Sequence, residues 1–260
     1  MVIRKSGTSI IEDCVILSKH AAAKAAVKMV MQDSVTDDVV IGLGSGSTAE
    51  IFVRELASGL CRMKRKIAAV VPSSNATGML ASSLGMKVKR PITVDACAEK
   101  IGIYVDGADQ VDPALNLIKG RGGALFREKI VARIAKRFIV IVDEGKLVKR
   151  LGPIVPVEVA KEEVESVIKG VEALGGRGVL RRRMMNVKNG NGSGPPFVTD
   201  NGNFILDCDF GKKTIDAALA SRLMEIAGVV DTGFFGRELV SAVIVGMPDG
   251  SVKILERVVD

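Results

Sequence analysis

Short apolar runs alternate with helical patterns over the first two thirds of the chain. "DDVVIGL" (37–43) is followed by "STAEIFVRELASGL" (47–60), in which Phe52, Val53, Leu56 and Leu60 recur at helical spacing. "IAAVVP" (67–72) leads to "ATGMLASSLG" (76–85), and "IGIYV" (101–105) leads to the polar stretch "DGADQVDPALNLIKGRGGALFREK" (106–129). "FIVIV" (138–142) follows the helix that this stretch opens. Strands alternating with helices predict a parallel sheet with crossover helices on its faces. Beyond about Pro153 the pattern changes. "PIVPVEVA" (153–160), the helix-like "EEVESVIKGVEALGG" (162–176) and the hairpin-like "FVTDNGNFILDCDF" (197–210) predict a smaller α+β unit. In that hairpin Asp200-Asn201-Gly202-Asn203 supplies residues that tolerate a tight turn. "KNGNGSGPP" (188–196) reads as a flexible loop, and "ELVSAVIVGMPDGSVKILER" (238–257) as strand, turn and strand. The expected division is a main domain from 1–152 and 236–260, with a smaller domain at 153–235.

Composition narrows the chemistry. At 260 residues the chain can bury a sizeable core. No apolar run approaches the roughly 18 residues that cross a bilayer, and Glu12, Asp13 and Cys14 interrupt what would be a secretion signal. The expectation is a cytoplasmic protein with no membrane partner, a plastid being the other compartment if a presequence has been removed. Cys14, Cys61, Cys97 and Cys208 stand far apart, against a disulfide framework or a metal knuckle. His20 is the only histidine and sits in a helical stretch, so it is read as a solvated helix residue, and no metal site is expected. A net charge of +7 with a pI near 9.3 suits an anionic partner. With 3% aromatics there is little to stack on bases, so a nucleic-acid partner is not expected. The basic run "RGVLRRRMM" (177–185) is read as a solvated loop or strand edge.

Ligands of open α/β sheets bind at the carboxyl ends of the strands. The residues that follow each strand are Ser45, Gly46, Ser47 and Thr48, then Ser73 and Ser74, then Asp106 and Asp109, then Lys146. "GLGSGST" (42–48) has the parts of a phosphate cradle: backbone N–H groups exposed by glycine, hydroxyls, and a helix N-terminus. It does not match the dinucleotide fingerprint, which needs glycine where Ser47 stands, nor the P-loop, which needs lysine there. A capped Gly-rich turn with no ligand fits it equally well. Asp106 and Asp109 serve either a ligand or their own turn. Lys119 meets Gly120, Gly122 and Gly123, which admit a ligand to the backbone or form a tight turn.

Glu128 carries more information. In a helix from about Gly123, Leu125, Phe126, Ile130 and Ile134 are expected on the apolar side, and Lys129, Arg133 and Lys136 on a solvated basic stripe. A surface glutamate usually meets a cation three or four positions on. Glu128 meets Val131 and Ala132, with Ala135 a turn further. Partial burial would raise its pKa and make it a usable general base near neutral pH. An exposed glutamate favoured by the helix N-terminus is the plainer alternative.

Taken together, "GLGSGST", "YVDGADQVDPALNLIKGRGGALFREKI", "RFIVIVDEGKLVKRLG", "PVEV", "FVTDNGNFILD" and "GVVDTGFF…VIVGMPDGSVKILER" resemble ribose-5-phosphate isomerase of the A type, from about His20 to Arg257. The resemblance implies an α/β protein with a Rossmann-like parallel-sheet domain and a smaller, ferredoxin-like α+β domain. It implies an aldose–ketose isomerase of the non-oxidative pentose phosphate pathway, interconverting D-ribose 5-phosphate and D-ribulose 5-phosphate through an enediolate, without metal or other cofactor. Glu128 matches the base. Asp106 and Asp109 match residues that assist ring opening and proton movement, and Lys119 one that holds oxyanion charge. Ser45, Gly46, Ser47, Thr48, Asp106, Gly107, Ala108, Asp109, Lys119, Gly120, Arg121, Gly122 and Lys146 match the sugar-phosphate site. A homodimer or homotetramer is implied. Ser45 replaces a threonine, Arg121 interrupts a glycine run, and Gln110 replaces a glutamate. Extra residues around "QDSVTDD" leave Lys19 without an assigned role. The alternative reading is a sugar-phosphate-sensing domain of a transcription regulator, which would need a DNA-binding helix-turn-helix before Val39.

Overall fold

Val40–Leu43, Ala69–Pro72, Phe138–Asp143 and Ala242–Gly246 are buried at every position, as strands covered on both faces must be. They are β1, β2, β6 and β12 of the computed structural model, which describes residues 7–33, 39–89, 101–183 and 194–257. With β3 (Ile101–Asp106) and β13 (Val252–Glu256) they form a six-stranded sheet in the order β13-β12-β6-β3-β1-β2. All neighbours are parallel except the edge strand β13, which returns antiparallel after the Pro248-Asp249-Gly250 turn. Its Lys253 and Glu256 lie on that exposed edge, where charge discourages further pairing.

Helices α1 (Gly7–Asp33), α2 (Ser47–Arg62), α3 (Asn75–Ser83) and most of α4 (Leu125–Ile134) accompany this sheet. Ala22, Ala23, Ala26 and Val30 of α1 join Phe52, Val53 and Leu56 of α2 in one apolar cluster with Ile41, Leu43, Ile103, Val105, Ile139, Ile141 and Ile244 of the strands. Each large side chain buried there contributes roughly 1.5–3 kcal/mol relative to exposure. The strand order places β2 on one side of β1 and β3 on the other. The chain therefore reverses its winding direction there, and the carboxyl ends of β1 and β3 open the crevice where doubly wound sheets take ligands.

The second unit comprises residues 109–126 and 149–236. Its strands β7 (Ile154–Val159), β8 (Arg177–Leu180), β9 (Phe204–Asp209) and β10 (Val229–Thr232), with helices α5 (Val164–Ala173) and α6 (Ala217–Met224), run β-α-β-β-α-β. They form an antiparallel sheet in the order β10-β7-β9-β8, the ferredoxin-like arrangement. The turn at 200–203 forms as expected, with Thr199 N–H donating to the Asn203 carbonyl at 2.9 Å. A small separate sheet, β11-β5-β4, joins Phe234–Phe235, Leu117–Ile118 and Gln110–Val111. Residues 109–126 go with the second unit because Leu117 and Ile118 pair with Phe235 and Phe234, a two-residue ladder too short to read as a strand. Cys97, residues 184–185 of the basic run and residues 188–193 of the Gly-rich loop lie outside the described residues.

Candidate active site

At the carboxyl ends of β1 and β3 the two backbones nearly touch. Gly44 N–H donates to the Val105 carbonyl at 2.8 Å, and Ser45 N–H donates to Asp106 Oδ1 at 2.9 Å. Only glycine fits at position 44, since a Cβ there would lie 2.0 Å from Asp106 Oδ1. Asp106 is fully buried; its Oδ1 also accepts from Gly107 N–H at 2.7 Å, and its Oδ2 accepts from the Tyr104 hydroxyl at 2.5 Å. The carboxylate thus ties the cradle loop to β3. The loop is also braced by Ser73, just after β2, and by Thr77 of α3. Ser45 Oγ lies 2.8 Å from Ser73 Oγ, and Thr77 Oγ1 donates to the Gly44 carbonyl at 2.9 Å. Gly44→Ala should therefore lower stability by about 1–3 kcal/mol, as overpacking does; a thermal melt matching the parent would contradict the brace.

The next residues open α2. Gly46 and Ser47 are exposed, Thr48 is buried, and no side chain caps the helix through a hydrogen bond. Lys19 Nζ from α1 donates to Ser47 Oγ at 3.0 Å. A cation at a helix N-terminus opposes the positive end of the macrodipole. An anion between ammonium and N-terminal amides would reverse that conflict, which suits phosphate. Lys19, left without a role by the sequence, stands beside the first residue of α2. His20, the next residue, is half-buried with Nδ1 4.0 Å from Glu55 Oε1.

Helix α4 is rotated from the expected orientation. Its buried residues are Leu125, Glu128, Lys129, Val131 and Ala132, while Phe126, Ile130 and Ile134 are only half-buried. Lys129, expected in a solvated stripe, is 4% exposed. The physical reason is its spacing: Leu125 lies four positions before it and Ala132 three after, both on the packed side. Glu128 is 5% exposed and shares that side. Its charge reaches the Tyr104–Asp106 pair. Burial first, then the negative charges of Asp106 and Glu128, push the Tyr104 hydroxyl well above its ordinary value. A raised pKa in the fold means that Tyr104 keeps its proton, and its contribution to stability, below the ordinary value near 10, and loses both only above it. Tyr104 is the only tyrosine and there is no tryptophan, so the phenolate absorbance reports it alone. In the folded protein that absorbance should stay flat as pH passes 10.0; a rise there with the circular dichroism intact would contradict the buried network.

Lys146 lies at the carboxyl end of β6, half-buried in the short helical turn Glu144–Lys146. Gly107 and Ala108 leave β3 half-buried. The second unit carries Asp109 and the loop 119–122. Asp109 Oδ2 accepts from Arg121 N–H at 2.9 Å, and Lys119 N–H donates to the Gly233 carbonyl at 2.8 Å. Gly120 takes φ +99°, a conformation that favours glycine. Lys119 is 2% exposed, with Nζ 5.5 Å from the centre of the Phe235 ring. Arg121 and Gly122 are exposed.

Tyr104, Thr77 and Arg181 were not singled out from the sequence. Tyr104 could have been: two residues before Asp106 on a strand, it faces the same side. Arg181 belongs to a basic run expected to be solvated, yet its side chain is only 14% exposed. The preceding residues 177–180 are the sheet-edge strand β8, as one of the two readings of that run had it.

The family pattern described as ribose 5-phosphate isomerase A (phosphoriboisomerase A) matches residues 69–250. The chain belongs to the ribose 5-phosphate isomerase A family. Ribose-5-phosphate isomerase A of Archaeoglobus fulgidus is 40% identical over 230 residues, 88% of this chain and 94% of that protein. The one from Roseiflexus castenholzii is 43% identical over 241 residues, 92% of this chain and 95% of that protein. Among solved structures, the ribose 5-phosphate isomerase A of Methanocaldococcus jannaschii matches with TM-score 0.77 and 37% identity, covering 92% of this chain and 97% of that one. A D-ribose-5-phosphate isomerase in complex with phospho-erythronic acid matches with TM-score 0.77 and 39% identity over the same shares. Isomerases of the A family thus share both the sequence and the fold of nearly the whole chain.

Proposed function

We propose that Glu128 is the base of an aldose–ketose isomerase that interconverts D-ribose 5-phosphate and D-ribulose 5-phosphate. The observation that carries the assignment is a carboxylate buried on α4 whose charge bears on the Tyr104–Asp106 pair at the sheet's switch point. Moving a proton between adjacent carbons needs a placed base and a positive or hydrogen-bonded environment for the enediolate oxygen. Glu128 takes the C2 proton of the open-chain aldose and returns it to C1. Lys119 balances the charge that develops on oxygen, and Asp109 serves the hydroxyl protons. Asp106, with its oxygens engaged by Ser45, Gly107 and Tyr104, acts by holding the cradle loop. For Asp109, Lys119, Gly120, Arg121 and Gly122 the assignment rests on the matching motif and on chain continuity, since Asp109 directly follows Ala108.

The phosphate is assigned to Ser45, Gly46, Ser47, Thr48 and Lys19, with Lys146 as a further cation. Hydrogen bonds to charged groups are worth about 1.5–3 kcal/mol, so Lys19→Met should raise KM for ribose 5-phosphate roughly tenfold to a hundredfold with a smaller change in kcat. An unchanged KM would remove Lys19 from the phosphate site. Phospho-erythronic acid, found with a related isomerase, is a sugar-acid phosphate whose planar carboxylate resembles the enediolate. It should therefore compete with ribose 5-phosphate here. Turnover is expected to survive a chelator; activity lost and then restored by a divalent metal would contradict the metal-free mechanism.

The regulator alternative needs a helix-turn-helix before Val39, and among the described residues only α1 precedes it. No described helix is long and apolar enough to cross a membrane. A cytoplasmic setting remains part of this reading, supported by the free thiols of Cys14, Cys61 and Cys208. So does a homo-oligomer. Ile16 and Leu17 of α1 and Val252 and Ile254 of β13 are exposed, a surface suited to a second copy.

A further inference from the structure

One peptide unit in the second unit is held at both ends by charged side chains. The Gly120 carbonyl accepts from Arg181 Nη1 at 2.8 Å, and the N–H of the same peptide, on Arg121, donates to Asp109 Oδ2 at 2.9 Å. Arg181 Nη1 also donates to the Arg121 carbonyl at 2.9 Å. Behind it, Arg181 Nε donates to Asp207 Oδ2 at 2.9 Å and Nη2 donates to Asp207 Oδ1, a two-pronged pairing that fixes the guanidinium plane. The side chain is 14% exposed, so this is not a surface arginine resting on a loop.

The loop needs such a brace. Residues 119–123 include three glycines, which supply no side chains to pack and much conformational freedom. Yet this segment carries Lys119, and its Arg121 amide sets the orientation of Asp109. A trans peptide directs its C=O and N–H to opposite sides. Arg181 on one side and Asp109 on the other therefore fix the peptide's rotation.

We propose that Arg181, backed by Asp207, is a positioning residue of the isomerase reaction: it clamps the Gly120–Arg121 peptide against Asp109 and so sets where Lys119 and Asp109 meet the substrate. This rests on the assignment of Lys119 and Asp109 to the sugar. Lysine cannot substitute, because an ammonium lacks the planar fork that spans a carboxylate and two carbonyls at once.

Two measurements test the clamp and its service to catalysis separately. The first is tryptic cleavage after the exposed Arg121, read by mass spectrometry on the folded proteins. Arg181→Met and Arg181→Lys should both be cut there at least tenfold faster than wild type, and Lys119→Met should not. Unchanged cleavage in the Arg181 variants overturns the clamp. The second is steady-state kinetics with ribose 5-phosphate. A displacement of about 1 Å can cost a hundredfold in rate, so Arg181→Met should lower kcat tenfold to a hundredfold, with KM raised by a smaller factor because the phosphate cradle is untouched. Arg181→Lys should recover little of the rate.

In a Lys119→Met background, adding Arg181→Met should lower kcat by a clearly smaller factor than in wild type, since one of the two positioned groups is already gone. Faster cleavage with wild-type kcat overturns the positioning role. So does an equal loss in both backgrounds, which would mark a general structural effect. Normal turnover in Lys119→Met alone would instead show that the site assignment is at fault, with tryptic cleavage still deciding whether the clamp exists.

Discussion

Glu128→Gln should bind ribose 5-phosphate about as well as wild type and lose roughly 10²–10⁴ in kcat, the range that a positioned general base contributes. The amide matches the carboxylate in size, so the packing of α4 around Leu125, Val131 and Ala132 is preserved, and only the ability to take a proton disappears. Because Glu128 is 5% exposed, bulk water is poorly placed to replace it. The shorter Glu128→Asp should fall between the two: it keeps a base but withdraws it by one methylene, and proximity effects are steep. A Glu128→Gln enzyme within a few fold of wild-type kcat would move the base elsewhere.

Lys119→Met should lose roughly 10²–10³ in kcat, comparable to removing one donor from an oxyanion site. Methionine keeps most of the chain that lies over Phe235 while removing the charge that the aromatic face accommodates. Binding should weaken too, and inhibition by phospho-erythronic acid should weaken at least as much as binding of ribose 5-phosphate, if its carboxylate mimics the enediolate. A variant with unchanged rate would make Lys119 a turn residue and nothing more.

The fold was legible wherever the hydrophobic pattern was long. The apolar run "FIVIV" at 138–142 and the alternation of strands with helices predicted the parallel sheet, and the β-α-β-β-α-β order underlies the second unit. The sequence did not reveal the two-residue strands at 110–111 and 117–118, which carry residues 109–126 into the second unit. In the site, the cradle and the switch-point aspartate could be found because loops at strand ends must carry their own polar chemistry. Asp106 is the instructive case, since its burial and its hydrogen bonds to Ser45, Tyr104 and Gly107 combine the two readings weighed for it, turn-holding and site-building. Charge was the less reliable guide. Lys129 and Arg181 both sit in basic runs, yet Lys129 follows the helix period into the packed side, and Arg181 finds a carboxylate and two carbonyls that no local spacing reveals.

The most direct test follows the bond that Glu128 is held to break. Ribose 5-phosphate carrying deuterium at C2 can be mixed with wild type and with Glu128→Gln and observed by NMR. Wild type should form ribulose 5-phosphate, with the label moved to C1 or released to solvent, and should turn over more slowly than with unlabelled substrate. The variant should bind the sugar phosphate yet leave the C2 deuterium in place. Loss of that deuterium in Glu128→Gln at the wild-type rate would contradict the assignment of Glu128 as the base.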